Sequence, residues 1–145
     1  MKVSELSGAL LDYWVARCEL EGQLSGHELR RKAEGVCLIV DLSDDQVVGY
    51  ICEGIRGRYR ARKDWNLVNG EWCYQPSSDW AFGGPIIERE RFNLIPSCGD
   101  AGSWFARDVS RDVAIWHFGP TVLVAAMRVF VASRFGTEVP DEVPA

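Results

Sequence analysis

The chain has 145 residues, of which 47% are hydrophobic and 26% charged, and a formal net charge of −5 at pH 7. A chain of this length and composition is expected to form one domain over residues 1–145. It buries a core without disulfide or metal, which excludes a largely disordered protein. No apolar run reaches the roughly 18 residues that span a bilayer and no signal-peptide pattern opens the chain, so no membrane partner is expected and the expected location is the cytoplasm.

Residues 4–19 (SELSGALLDYWVARCE) read as an amphipathic helix capped by Ser4 or Ser7, with Leu6, Leu10, Tyr13, Trp14 and Val15 mainly on one face. The polar stretch 20–34, with Gly22 and Gly26, has room for a short helix around His27–Lys32. Val36–Asp41 and Gln46–Glu53 flank the turn residues Ser43-Asp44-Asp45, which predicts a β-hairpin. Arg56–Arg62 alternates arginine with Gly57, Tyr59 and Ala61, the pattern of a strand with one cationic face. Asn69-Gly70 signals a second hairpin.

Residues 75–85 (QPSSDWAFGGP) are rich in turn formers and predict a loop; Ile86–Leu94 reads as a strand. Trp104–Arg107 and Val113–Phe118 are short candidate strands. Thr121 is placed to cap a helix from Val122 to Phe135 that Gly136 ends, with an apolar stripe of Leu123, Ala126, Met127, Phe130 and Val131. An acidic tail follows over 137–145. The order of elements predicts an α+β fold, one antiparallel sheet packed by an N-terminal and a C-terminal helix. Val122, Val129 and Ala132 lie off the main stripe of the last helix, and Tyr13 and Trp14 adjoin on the first. A second apolar face implies a homodimer, unless residues 20–34 fold back over it.

The opening Ser4-Glu5-Leu6-Ser7-Gly8-Ala9 with Leu11-Asp12-Tyr13-Trp14-Val15-Ala16, the segment Tyr74–Glu90 and the stretch Thr121–Val139 together resemble the NinX family of phage and prophage proteins. This chain differs in a longer, more basic region over 36–70 and in Pro120-Thr121-Val122, where the family tends to have Thr-Pro. The resemblance implies a phage origin and an early, dispensable accessory role. It brings no established biochemical activity.

Three features bear on chemistry. In the segment Ser77-Ser78-Asp79-Trp80, hydroxyl and carboxylate groups suit ribose or a base edge, and Trp80 offers a stacking face; Gly83-Gly84 allows close backbone approach to an anion. The competing reading is a sharp turn in which Ser78 and Asp79 bond their own backbone and Trp80 plugs the core. Arg56, Arg58, Arg60 and Arg62, if extended, project to one side about 7 Å apart, suited to phosphates or, alternatively, to guarding a sheet edge. The amides behind Thr121 form a third anion site if the other two converge on it.

Catalysis and metal binding find no constellation. His27 and His117 stand alone, Glu88 and Glu90 have Arg89 and Arg91 as ion-pair partners, and five widely spaced cysteines read as reduced thiols. The expectation is therefore a non-catalytic protein without cofactor that binds a small anionic nucleotide-type ligand through Ser77, Ser78, Asp79, Trp80, Gly83, Gly84, Arg56, Arg58, Arg60 and Thr121. In a phage protein such binding would sequester a host defence signal, a cyclic oligonucleotide or an ADP-ribose derivative. The alternative is an adaptor that holds host protein or nucleic acid through Arg56–Arg62.

Overall fold

A computed structural model describes residues 1–33, 36–52, 72–97 and 103–141. After a 3₁₀ turn at Val3–Glu5, helix α1 spans Gly8–Glu19. Strands β1 (His27–Ala33), β2 (Val36–Asp41), β3 (Gln46–Cys52) and β4 (Trp72–Cys73) follow, then helix α2 (Trp80–Glu90). Strands β5 (Asn93–Pro96), β6 (Trp104–Asp108) and β7 (Ile115–Gly119) lead into helix α3 (Val122–Phe135). The arrangement is α+β, but the strands form two sheets rather than one. One has the order β1-β2-β3-β4 with a parallel β3–β4 pair, and the other is an antiparallel β5-β6-β7 meander.

The reason for two sheets lies in α3. Ten of its fourteen residues are buried, from Leu123 to Ser133 and including Val129 and Ala132 off the main stripe. Such a helix needs apolar cover on more than one side. The β5–β7 sheet packs on one side of α3, and α1, α2 and the 3₁₀ turn supply the rest. Tyr13 and Trp14 are both buried within the same chain, and Trp14 meets Phe135 edge-on at 5.1 Å. The faces that suggest a homodimer are thus buried within the chain.

Two element expectations are corrected. Residues 27–33 form strand β1 and not a helix. The segment pairs antiparallel with β2, Leu29 opposite Ile39, and its polar composition suits a sheet edge on which Arg30 meets Glu28 and Asp45 at 2.9 Å each. Residues 80–90 form α2, where a loop and a strand are expected. Asp79 caps this helix by accepting the Ala81 N–H at 2.9 Å, and Arg91 closes it in the left-handed region at φ 56°. Its buried positions Phe82, Gly83 and Ile86 follow helical spacing. Burial on that stripe outweighs the helix-breaking tendency of Gly83, Gly84 and Pro85.

The β2–β3 hairpin, β6, β7 and α3 are observed close to their predicted places, and α1 is observed with its start at Gly8 rather than Ser4. Ser7 occupies the N-cap of α1, but its side chain makes no cap bond. In the hairpin turn the Asp41 carboxylate accepts the Ser43 hydroxyl and N–H, which hold it below its usual range. Thr121 Oγ1 accepts the Val124 N–H at 3.2 Å, and Gly136 ends α3 at φ +84°. The arginine segment 56–62, the Asn69-Gly70 signal and Cys98 lie outside the described residues.

Two buried carboxylates on α1 fasten the loop before α2 and α2 itself. Asp12 accepts the Ser77 N–H at 2.8 Å. Glu19, almost fully buried, receives Arg89 from α2 in a two-pronged contact at 2.6 and 3.2 Å, which raises the guanidinium pKa. Arg89 and Arg134 both lie over the Phe130 ring, and Arg134 also reaches Glu90 at 2.9 Å.

Gly83 allows α2 its close approach. A Cβ there would collide with the Pro76 carbonyl oxygen and lie 2.6 Å from Leu123 Cδ2. Gly83→Ala is expected to lower stability by about 1–3 kcal/mol in urea unfolding, the range for overpacking a tight site. Arg89→Ala should cost roughly 2–4 kcal/mol, because the buried Glu19 carboxylate loses its partner. The double variant Glu19→Leu/Arg89→Met should recover most of that loss. Burial pushes Cys18 up to about 12 and Cys37 up to about 11. Both thiols should therefore resist iodoacetamide at pH 8 in the folded protein and react on unfolding, a difference that peptide mass spectrometry reads directly.

Candidate functional site

The chain start and the β7–α3 corner are drawn to one place by Arg128 of α3. Its Nε donates to the Leu6 carbonyl and one terminal nitrogen to the Phe118 carbonyl, both at 2.9 Å. Gly119 lets β7 press on the helix backbone, since a Cβ there would lie 2.5 Å from the Ala125 nitrogen. Asp12 meanwhile holds Ser77 beside α1. These contacts bring the start of α1, the start of α2 and the start of α3 around one open cleft.

That cleft has a volume of about 700 Å³ and is lined by Ser7, Gly8, Ser77, Ser78, Trp80, Trp104 and residues 120–124. No lining side chain carries a formal charge. Its polarity comes from hydroxyls and from helix starts, whose first-turn amides have no acceptor in their own helix. Helix starts carry partial positive charge, and α1 and α3 begin with the neutral Ser7 and Thr121. At α2 the capping Asp79 carboxylate already offsets that charge. An anion is therefore best placed between Gly8 and Val122–Leu123. Trp80, 56% exposed, and the half-buried Trp104 supply aromatic surface beside it.

Of the residues singled out in the sequence, Ser77, Ser78, Trp80 and Thr121 come together here. Ser77 is buried and gives its N–H to Asp12, whereas Ser78 is exposed and its hydroxyl donates to Gln75 at 3.2 Å. Trp80 does not plug the core. Asp79 does bond its own backbone, as the turn reading expected, and that carboxylate is engaged as a cap. Gly83 and Gly84 form no anion cradle: the Gly83 N–H donates to the Asp79 carbonyl at 3.0 Å, and Gly84 packs beside Trp80. Arg56, Arg58 and Arg60 lie outside the described residues.

Ser7, Gly8 and Trp104 were not anticipated. Ser7 was legible as a helix cap, but its proximity to Thr121 depends on the packing of α1 against α3. Trp104 carried no local signal beyond its β-strand setting. Among the described residues no histidine, cysteine, aspartate and glutamate side chains cluster as metal ligands, and no helix is long and apolar enough to cross a membrane. A second cleft of about 550 Å³ contains Glu19, Glu21, Arg89, Glu90 and Arg134, but its principal charges already pair with one another.

No curated protein matches the chain. The model of the family described as "Bacteriophage P22, NinX" matches residues 2–134, nearly the whole length, and the chain belongs to that family.

Proposed function

We propose that this phage-family protein binds a small anionic nucleotide-type ligand, without turning it over, in the cleft between the starts of α1 and α3. The observation that carries the reading is the meeting of two neutral-capped helix starts with Trp80 and Trp104 around one opening. The helix starts suit a phosphate, the tryptophans suit a base, and Ser78 and Thr121 suit ribose hydroxyls. The volume of about 700 Å³ falls in the range of small-molecule sites. A protein of this kind would act in the host cytoplasm by holding a defence signal, a cyclic oligonucleotide or an ADP-ribose derivative, away from its receptor. The reading needs no second copy of the chain. The adaptor alternative rests on Arg56–Arg62, outside the described residues, and draws no support from the cleft.

Isothermal titration against cyclic di- and trinucleotides and ADP-ribose tests the proposal. At least one should bind with a stoichiometry of about one per chain. Trp80→Ala should weaken that binding by roughly 5- to 100-fold, the loss of one base–aromatic stack. Absence of heat with every member of the panel at micromolar protein would refute it.

A further inference from the structure

The face of the β5–β7 sheet turned away from α3 has an unusual composition. Strand alternation and register put Asn93, Ile95, Phe105, Arg107, Trp116 and Phe118 on that face. Ala106, which is buried, and its cross-strand neighbours Leu94 and His117 take the opposite face. Trp116 is 53% exposed and Phe118 48% exposed. With the partly exposed Phe105 they form a continuous aromatic surface, the three ring pairs having centroids 5.2–5.8 Å apart. Aromatic rings serving only the fold would be expected on the α3 side.

We infer that this face is a stacking platform for single-stranded nucleic acid. Rings presented side by side on an open sheet accept unstacked bases, whose π-faces need no particular sequence. Charge favours the same occupant. The chain contains 21 acidic residues, yet none lies on this face of the three strands. Their one carboxylate, Asp108, is on the other side and buried. The strands' single cation on the aromatic face is Arg107, exposed between Asn93 and Trp116 in register and without a carboxylate partner among the described residues. A guanidinium beside stacked bases is placed to meet the phosphate that joins them. A second copy docking here by two-fold symmetry would enclose two arginines on a surface with no acid in its strands to receive them. This platform is separate from the cleft at the helix starts.

Fluorescence anisotropy with labelled oligo-dT and oligo-rU of about 12 nucleotides, at low salt, tests the inference. One or both strands should bind, and whichever does identifies DNA or RNA as the preferred backbone. An abasic strand of equal length should bind much more weakly. Trp116→Ala and Phe118→Ala should each weaken binding by roughly 5- to 100-fold, while Trp80→Ala leaves it unchanged. Arg107→Ala should reduce the slope of log affinity against log salt by about 0.7. The inference is overturned if neither strand binds, or if binding ignores the Trp116 and Phe118 substitutions. It is equally overturned if light scattering finds a dimer that Trp116→Ala splits, since the face then belongs to a second copy.

Discussion

A helix that is apolar on nearly every side must be covered on nearly every side, and α3 imposes that condition on the rest of the chain. Leaving Val129, Phe130 or Val131 in water would forfeit about 1.5–3 kcal/mol for each larger side chain. The β5–β7 meander covers one flank, and α1 with its preceding turn covers another. From the middle of α3, Arg128 ties both covers to the helix through the Leu6 and Phe118 carbonyls. The opening between Ser7, Trp80 and Thr121 lies where this packing ends, at the start of α3, with Thr121 exposed and Val122 half-buried.

Polar groups inside this assembly are few and positioned. Asp12 and Glu19 stand two turns apart on α1 and hold successive parts of the Pro76–Glu90 region. Their burial costs free energy unless each keeps its partner, so they specify where α2 sits more than they add stability. Asp79, by contrast, is exposed and acts locally. Placement of Trp80 at the cleft therefore depends on a chain of contacts: Asp12 to Ser77, the Asp79 cap, and the Gly83 approach to Leu123. The same packing leaves the far face of the β5–β7 sheet without a covering layer among the described residues, which is why its aromatics remain accessible.

The sequence was most legible where local signals and burial agree. Thr121, the heptad-like stripe and Gly136 define α3 without reference to any other segment, and the Ser43-Asp44-Asp45 turn defines the β2–β3 hairpin. Legibility failed where tertiary contacts override local preference. Gly83-Gly84-Pro85 reads as a loop, but it occurs inside a helix because Phe82 and Ile86 bury together and Gly83 must have no side chain. His27–Lys32 reads as polar and helical, but an edge strand needs only Leu29 turned inward. Around the cleft, Ser77, Ser78, Trp80 and Thr121 are legible from residue type and motif. Ser7 and Trp104 are not legible there: Ser7 meets Thr121 only through packing of elements more than a hundred residues apart, and Trp104 only through its pairing with Gly119 across the β6–β7 hairpin.

The central claim is that the starts of α1 and α3 form one anion-binding cleft flanked by two tryptophans. Two-dimensional ¹H–¹⁵N NMR during titration with a cyclic dinucleotide and, separately, ADP-ribose examines it atom by atom. The account predicts that, with a ligand that binds, the amides of Gly8, Val122 and Leu123 and the indole N–H groups of Trp80 and Trp104 shift together along one saturation curve, while the Trp116 indole stays still. Unmoved signals at these positions with either ligand, or shifts confined to other parts of the molecule, would contradict it.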